Sequence, residues 1–274
     1  MSIRRAALAG SWYPPTPDAL GAEVDGHLAP AASECRGEVR AIVAPHAGLM
    51  YSGPVAAYAY SLLSGRRYDV AVLVGPSHFV GFDGVAVYGR GAFETPLGRV
   101  PVLEPCAAAL ALASPIVREH PGAHVREHSL EMQLPFLQRV LPGTPIVPLV
   151  MGYQTRETIL DLAAALASVL AGREALLVAS TDLSHYQDAA TAARLDGRVI
   201  DFVRALDPEG LLAALEAFPR HACGGGPLVS VMHAARGLGA DAARILRYAD
   251  SGDVSGDKTA VVGYLAAALG RFEA

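Results

Sequence analysis

Three apolar segments of this chain are each followed within a few residues by a histidine. The segments and their histidines are 39–44 with His46, 70–75 with His78, and 175–180 with His185. Short continuous apolar runs are typical of buried strands in a parallel sheet. Because the carboxyl ends of parallel strands share one edge of an open α/β sheet, we expect the three histidines to lie close together. Imidazoles that meet in a crevice at a sheet edge indicate a metal site.

Helical segments alternate with these strands along the chain. The predicted helices cover residues 16–28, 52–63, 103–113, 128–141, 156–171, 189–206, 207–218 and 224–237, and further strands are predicted at 85–88, 146–150, 245–248 and 260–265. No interior linker and no repeat of fixed period divides the 274 residues. The pattern predicts a single α/β domain over residues 1–274, with a mixed, largely parallel sheet flanked by helices.

The composition excludes several classes of function. Apolar residues make up 52% of the chain, but the apolar runs are interrupted before they reach the length of about 20 residues that a membrane span needs. The basic start of the chain meets Trp12 before any apolar stretch long enough for a signal peptide. The net charge is −5 and the arginines are scattered, which disfavours binding to nucleic acid or an anionic membrane. We therefore expect a cytoplasmic protein that uses neither kind of partner.

Asp182 precedes His185 by three residues in the segment that follows the third strand. A carboxylate at this spacing can bind a metal itself. It can also accept the second ring N–H of a ligating histidine and so select its tautomer, which is the role we favour. The alternative is an ordinary turn residue.

One of the three cysteines, Cys223, is distinguished by the residues that follow it. The three cysteines are odd in number and show no CxxC motif, so we expect free thiols. Cys223 precedes three glycines and a proline at the start of a predicted helix, where a helix dipole favours the thiolate. This setting predicts a metal ligand or a nucleophile, with a buried inert thiol as the alternative. Cys35 and Cys106 lack the setting and are assigned to the inert class.

His128 and Glu131 lie three residues apart on the predicted helix 128–141. Side chains at this spacing share one helix face, so the two residues are candidates for a proton shuttle and its partner beside a metal-bound substrate. The alternative is that Glu131 caps the start of the helix while His128 is solvated.

Several motifs in order make the chain similar to the Memo family, called AmmeMemoRadiSam system protein B in prokaryotes. The motifs that carry the resemblance are residues 9–14, 44–48, 75–78, 127–131, 180–185, 223–224 and 251–253. The resemblance covers nearly the whole chain. It implies a fold like that of the class III extradiol dioxygenases, which use non-haem Fe(II), and it implies association with a radical-SAM protein.

The resemblance also implies roles for individual residues. His46, His78 and His185 match the metal-site histidines of the family, Asp182 matches the adjacent aspartate, and Cys223 matches the site cysteine. Trp12 matches an aromatic position at the pocket rim, which is linked to peptide binding in the family. No carboxylate takes the third ligand place of a two-histidine, one-carboxylate triad, which is a departure from a working extradiol enzyme.

Three functions follow as hypotheses. The leading one is a dioxygenase-like redox protein that binds iron or copper, although three imidazoles and a thiolate suit zinc equally well as donors. The second is a non-catalytic module that binds a peptide or protein through Trp12 and the same pocket. The third is a zinc-dependent hydrolase, for which Glu131 is the candidate general base. Whether the chain is an enzyme, and what small molecule it takes, stay open at this point.

Overall fold

A computed structural model describes residues 2–31 and 35–273. The strands are β1 (Ile3–Arg4), β2 (Gly37–Ala44), β3 (Val70–Pro76), β4 (Val85–Val87), β5 (Ala92–Thr95), β6 (Gly98–Pro101), β7 (Val117–Glu119), β8 (Ile146–Met151), β9 (Ala175–Ser180), β10 (His185–Gln187), β11 (Ala242–Asp250) and β12 (Val261–Phe272). The helices are α1 (Pro17–Leu28), α2 (Leu49–Ser61), α3 (Glu104–Ala113), α4 (Leu134–Val140), α5 (Arg156–Val169), α6 (Ala189–Arg204), α7 (Pro208–Ala217), α8 (Gly225–Gly237) and α9 (Gly252–Ser255).

The main sheet is mixed, with a parallel centre. Its strand order is β10-β12-β2-β9-β3-β8-β4-β7, and β11 pairs with β12. Strands β2, β9, β3 and β8 run parallel to one another, while β12 joins β2 and β4 joins β8 in antiparallel fashion. A small second sheet has the order β1-β5-β6. The predicted α/β class with a mixed sheet is confirmed.

The central strands are apolar because both of their faces are covered. Every residue of β3, β8 and β9 is buried, which explains the continuous apolar runs in the sequence. Helix α8 packs against β3 and β9, and α2 packs against β2 and β12. No helix among the described residues combines the length and the apolarity needed to cross a bilayer.

The sheet register brings the ends of the histidine-bearing strands together. Ala44 at the end of β2 pairs with Ser180 at the end of β9, and β3 lies on the other side of β9. The segments that leave β2, β9 and β3 therefore start from adjacent positions on one edge. This is the crevice outside the carboxyl ends of the strands where α/β folds place their ligands.

The predicted helix 128–141 is wrong in its first part. Residue 128 has no regular structure, residues 129–130 form a turn, Glu131–Gln133 form a 3-10 helix, and α4 begins only at Leu134. The carboxylate of Glu127 accepts the N–H groups of His128 and Ser129, which holds this segment outside a helix. Pro135 then stands in the first turn of α4, where its missing N–H has no effect.

A β-hairpin that the sequence did not indicate joins β5 and β6. Thr95 pairs with Gly98 across its turn, and β5 also pairs with β1 near the start of the chain. The two strands have only four residues each, too short to show a clear alternation of apolar and polar residues.

Candidate metal centre

His46 is held at the mouth of β2 by contacts to its ring and to its backbone. The residue is 1% exposed. Its Nδ1 atom lies 2.8 Å from the Oγ atom of Ser180, and its backbone N–H donates to the Oδ1 atom of Asp182 at 2.7 Å. These contacts bind the loop after β2 to the end of β9.

The hydroxyl of Ser180 determines which nitrogen of His46 carries the proton. Ser180 donates its only hydroxyl proton to the carbonyl of Ser129 at 2.6 Å, and it also accepts from the Nε2 atom of Gln133 at 2.8 Å. Its remaining lone pair faces the Nδ1 atom of His46, so Nδ1 must be the donor. The Nε2 atom of His46 is therefore left unprotonated, as a metal ligand requires.

His78 is held by a carboxylate. Its Nδ1 atom lies 2.8 Å from Oε1 of Glu127, and its backbone N–H donates to Oε2 of the same side chain at 2.6 Å. Burial alone raises the pKa of Glu127, but hydrogen bonds from the ring and backbone of His78 and from the backbone of Ser129 outweigh burial and lower the pKa to about 2. Glu127 is therefore ionised, and it keeps the Nδ1–H tautomer of His78 with Nε2 free.

His185 shows the same pattern with a backbone acceptor. Its Nδ1 atom lies 2.8 Å from the carbonyl oxygen of Leu183, which can only accept. In a neutral ring, Nε2 of His185 is thus the nitrogen without a proton. The three strand-end histidines present the same nitrogen, each through a different acceptor.

His128 belongs to a cluster of ligating groups with His46 and His78. Ligating atoms of His46, His78 and His128 lie within 4.8 Å of one another. The ring of His128 stacks on that of His78, with centroids 4.2 Å apart. His185 lies outside this group and lines the adjoining cavity with His78 and Cys223. Burial and the imidazoles of His78, His128 and His185 lower the pKa of His46 well below its usual range, so His46 is neutral.

Cys223 lies beside His46, but burial outweighs the stabilisation of its thiolate that the helix terminus was expected to give. Its Sγ atom is 3.3 Å from Nε2 of His46. Burial and the carboxylate of Asp182 raise the pKa of Cys223. The backbone N–H groups of Asp182 and Gly224 act in the opposite direction and lower the pKa, but Gly224 also donates to the hydroxyl of Thr181, and Gly226 donates to the side chain of Gln154. A metal ion bound here would supply the positive charge that ionises the thiol.

Asp182 organises the backbone and not a histidine ring. It accepts the N–H of His46, and its own N–H donates to Sγ of Cys223 at 3.3 Å. Burial raises the pKa of Asp182 to about 6. The expectation that Asp182 accepts a ring N–H is wrong, because Ser180, Glu127 and the carbonyl of Leu183 already fill that role.

Glu131 does not pair with His128. It is fully buried and forms an ion pair with Arg4, and it also accepts the hydroxyl of Tyr13. The backbone N–H groups of Ala7 and Leu8 donate to it as well, at 3.0–3.1 Å. With its lone pairs occupied, this carboxylate ties the N-terminal segment to the domain. The shared helix face that was expected for the two residues is absent, because residues 128–130 are not helical.

Aromatic side chains surround the mouth of the site. The ring of Trp12 lies 4.6 Å from that of His128 and the residue is 38% exposed. Phe79 approaches His128 from another side, with ring centroids 5.7 Å apart, and is also exposed. The structure thus places Trp12 at the rim, next to the imidazole cluster.

Glu127 and Ser180 are functional candidates that the sequence reasoning missed. Both lie inside motifs in which other residues are the predicted site residues, namely His128 and Glu131 in one and Asp182 and His185 in the other. Glu127 stands directly before His128, and Ser180 ends the strand before Asp182. The available signal was that a ligating histidine needs a second acceptor for its ring, often a carboxylate.

A family model and individual relatives place this chain in the same family. Residues 4–268 match the family model described as Memo-like protein. A MEMO1 family protein of Methanothermobacter thermautotrophicus is 40% identical over 272 residues, covering 96% of this chain and 98% of the relative. MEMO1 family proteins of Pyrobaculum aerophilum and Thermotoga petrophila are 39% and 37% identical, over 96% and 97% of this chain and 98% and 99% of theirs.

A solved structure shares the fold. The crystal structure of an uncharacterized protein from Escherichia coli K12 has a TM-score of 0.55 and 16% sequence identity. The match covers 83% of this chain and 99% of that protein.

Proposed function

This chain belongs to the Memo-like protein family, and we propose that it holds a redox-active ion, iron or copper, among the imidazoles at the sheet edge. His46, His78, His185 and Cys223 would be the ligands, with His128 beside them. When bound, such an ion supplies one-electron and dioxygen chemistry that protein side chains lack. Neutral imidazoles and a thiolate are suitable donors for both metals.

One observation carries the proposal. His46, His78 and His185 each donate Nδ1–H to a fixed acceptor and leave Nε2 free. Ordinary loop histidines have no reason to share one tautomer, whereas ligating histidines donate their second ring N–H in this way as a rule. The 3.3 Å approach of Cys223 to Nε2 of His46 adds sulfur at the same point.

His128 is the candidate for proton transfer. Burial and the nearby His78 lower the pKa of His128 to about 4, so its ring is neutral near pH 7. Its Nδ1 atom is buried without a hydrogen-bond partner among the described residues, 3.5 Å from Oε1 of Glu127. A neutral imidazole beside the ligand cluster accepts a proton from a bound hydroxyl group, and the ionised Glu127 stabilises the cation that forms.

A second candidate function is binding of a peptide or protein without turnover. The exposed aromatic rings of Trp12 and Phe79 at the rim favour it, since aromatic residues are enriched at binding surfaces. The zinc hydrolase hypothesis loses its only general base, because Glu131 is occupied by Arg4 and Tyr13.

Elemental analysis of protein purified without added metal tests the proposal. We expect about one iron or copper per chain in the wild type and loss of that metal in His46→Ala. His120→Ala is the matched control, since His120 is exposed and contacts the ring of Phe82. Retention of stoichiometric metal by His46→Ala would refute the site.

Oxygen uptake with a panel of catechols separates the functions. Uptake by iron- or copper-loaded protein, and not by zinc-loaded or metal-free protein, supports the redox proposal. Binding of peptides at the same affinity in all these forms, with no uptake, favours the binding module.

A further inference from the structure

A cavity of about 780 Å³ adjoins the candidate ligands. His78, His185 and Cys223 line it, and so do the apolar side chains of Leu195, Ala217 and Phe218. A cavity that combines ligating groups with apolar side chains has the size and character of a site for a small organic molecule.

A flat aromatic surface borders this cavity. The rings of Phe218 and His221 are stacked, with centroids 5.4 Å apart and planes inclined by 9°. Phe218 is 55% exposed, so part of its ring is uncovered at the cavity wall. A planar ring of a ligand packs well against such a surface.

Among the Arg, Lys, Asp and Glu side chains of the described residues, the cavity is lined by a positively charged one alone. Arg220 is the only Arg or Lys that lines it, and no Asp or Glu does so among the described residues. In the described part of the chain the guanidinium of Arg220 has no ion pair and no hydrogen bond, whereas Arg139 and Arg156 each bind a carboxylate. In a chain of net charge −5, a cavity that exposes only a cation favours an anionic ligand.

We infer that the cavity receives an aromatic carboxylate, with the ring beside Phe218, the carboxylate on Arg220, and the opposite edge of the ring directed at the imidazole and thiol groups. A guanidinium binds a carboxylate through two parallel hydrogen bonds, which orients the ring as well as holding it. The inference rests on the proposed function, because that function gives the inner edge of the ring something to react with.

Calorimetric titration with three matched probes tests the inference. The probes are 2-naphthoate, 2-naphthalenemethanol and 2-naphthalenemethylamine, which share one ring system and differ in charge. A charge-assisted hydrogen bond contributes about 1.5–3 kcal/mol, so we expect naphthoate to bind roughly 10- to 100-fold more tightly than the amine. We expect Arg220→Gln to remove most of that preference and Arg220→Lys to retain part of it.

Arg173→Gln is the matched control, because Arg173 is an exposed arginine just before β9, at the other end of the strand from the site. The control should bind all three probes as the wild type does. Equal affinity for anion and cation in the wild type, or an unchanged preference in Arg220→Gln, would overturn the inference.

The metal content of the same samples separates this outcome from failure of the metal site. The titrations are then done on metal-free protein, because a carboxylate or an amine could otherwise bind to the metal itself. A lost charge preference with metal retained refutes the aromatic acid alone. Absence of metal with the charge preference intact refutes the proposed function and leaves the cavity as an anion-selective aromatic site, which upholds the assignment of Arg220.

Discussion

The Nδ1 atom of His78 lies 2.8 Å from the Oε1 atom of Glu127, a carboxylate that is 1% exposed. This contact fixes the orientation of the His78 ring through Nδ1 and leaves Nε2 free as a candidate metal ligand. We expect Glu127→Gln to lower the affinity for iron or copper about 10- to 100-fold, the usual effect of losing such a partner. Competition with a metal-binding dye measures it. Glu119→Gln, which changes a carboxylate on β7 that is 45% exposed, should leave the affinity unchanged; equal losses in the two variants would remove Glu127 from the site.

Ser180→Ala should weaken metal binding through His46. The variant removes the acceptor of the His46 Nδ1–H, so the ring is free to change tautomer and orientation. It also removes one of the two acceptors of the Gln133 amide, which still donates to the carbonyl of Pro45, and a buried N–H left without a partner costs about 1–3 kcal/mol of unfolding free energy. Ser230→Ala is the control, because Ser230 is also buried and donates to the carbonyl of Ile159. Metal affinity should fall only in the first variant, and a fall in both would indicate a general effect of stability.

Arg4→Met should destabilise the fold strongly. It leaves the carboxylate of Glu131 buried without its cation, and breaking such a pair costs about 3–5 kcal/mol. Urea denaturation measures the unfolding free energy. Arg139→Met breaks a surface pair with Asp25, whose side chain is 50% exposed, and should cost at most about 1 kcal/mol. Similar small losses in both variants would contradict the structural role of Glu131.

His124 should make the protein less stable in acid. Burial lowers the pKa of His124 to about 3 in the folded protein. In the unfolded chain this histidine has its ordinary pKa of about 6.5 and binds a proton at a higher pH than it does in the folded protein. The contribution of the neutral His124 to the unfolding free energy is fully present above pH 6.5. It is lost progressively as the pH falls towards 3, with a slope of up to about 1.4 kcal/mol per pH unit.

Comparison with His124→Gln measures this slope, using chelator-treated protein at a series of pH values. The variant should show a weaker dependence of unfolding free energy on pH across this range. His120→Gln, at an exposed position, should keep the wild-type slope. Parallel curves for wild type and His124→Gln would show that His124 is not the responsible group.

Metal removal should lower thermal stability through Cys223. A ligand that binds only the folded state at 100 times its Kd stabilises it by about 2.7 kcal/mol. Iron or copper should therefore raise the Tm of the wild type, and a chelator should reverse the rise. Cys223→Ser should show a smaller rise, because a hydroxyl is a poor substitute for a soft thiolate. Cys35→Ser, at a cysteine that no contact places near the site, is the control; an equal rise in Cys223→Ser would exclude the thiol as a ligand.

The hydrogen-bond partners of the site residues show why the histidines were predictable from the sequence and the acceptors of their ring N–H groups were not. His46 and His78 follow strands that are recognisable from continuous apolar runs, a local signal. The contact between His46 and Ser180 joins residues 134 positions apart, and that between His78 and Glu127 joins residues 49 apart. No spacing rule within one helix or strand reaches so far.

The misplaced role of Glu131 has a similar origin. Its three-residue spacing from His128 indicates a common face only if both residues are helical. The carboxylate of Glu127 accepts the N–H groups of His128 and Ser129, and Arg4 in β1 forms an ion pair with the carboxylate of Glu131. Side-chain hydrogen bonds decided a backbone conformation that periodicity alone assigned to a helix.

The order of apolar strands and amphipathic helices was sufficient to determine the α/β class and to place His46, His78 and His185 at strand ends. The reason is that a buried parallel strand must be apolar throughout, and its exit must turn at the common edge. Only the tertiary structure decided which nitrogen each imidazole presents, that His128 joins the cluster, and that Asp182 and Glu131 hold backbone segments. Those properties depend on which hydrogen-bond acceptor is within about 3 Å of a given atom, and the packing of distant segments sets that distance.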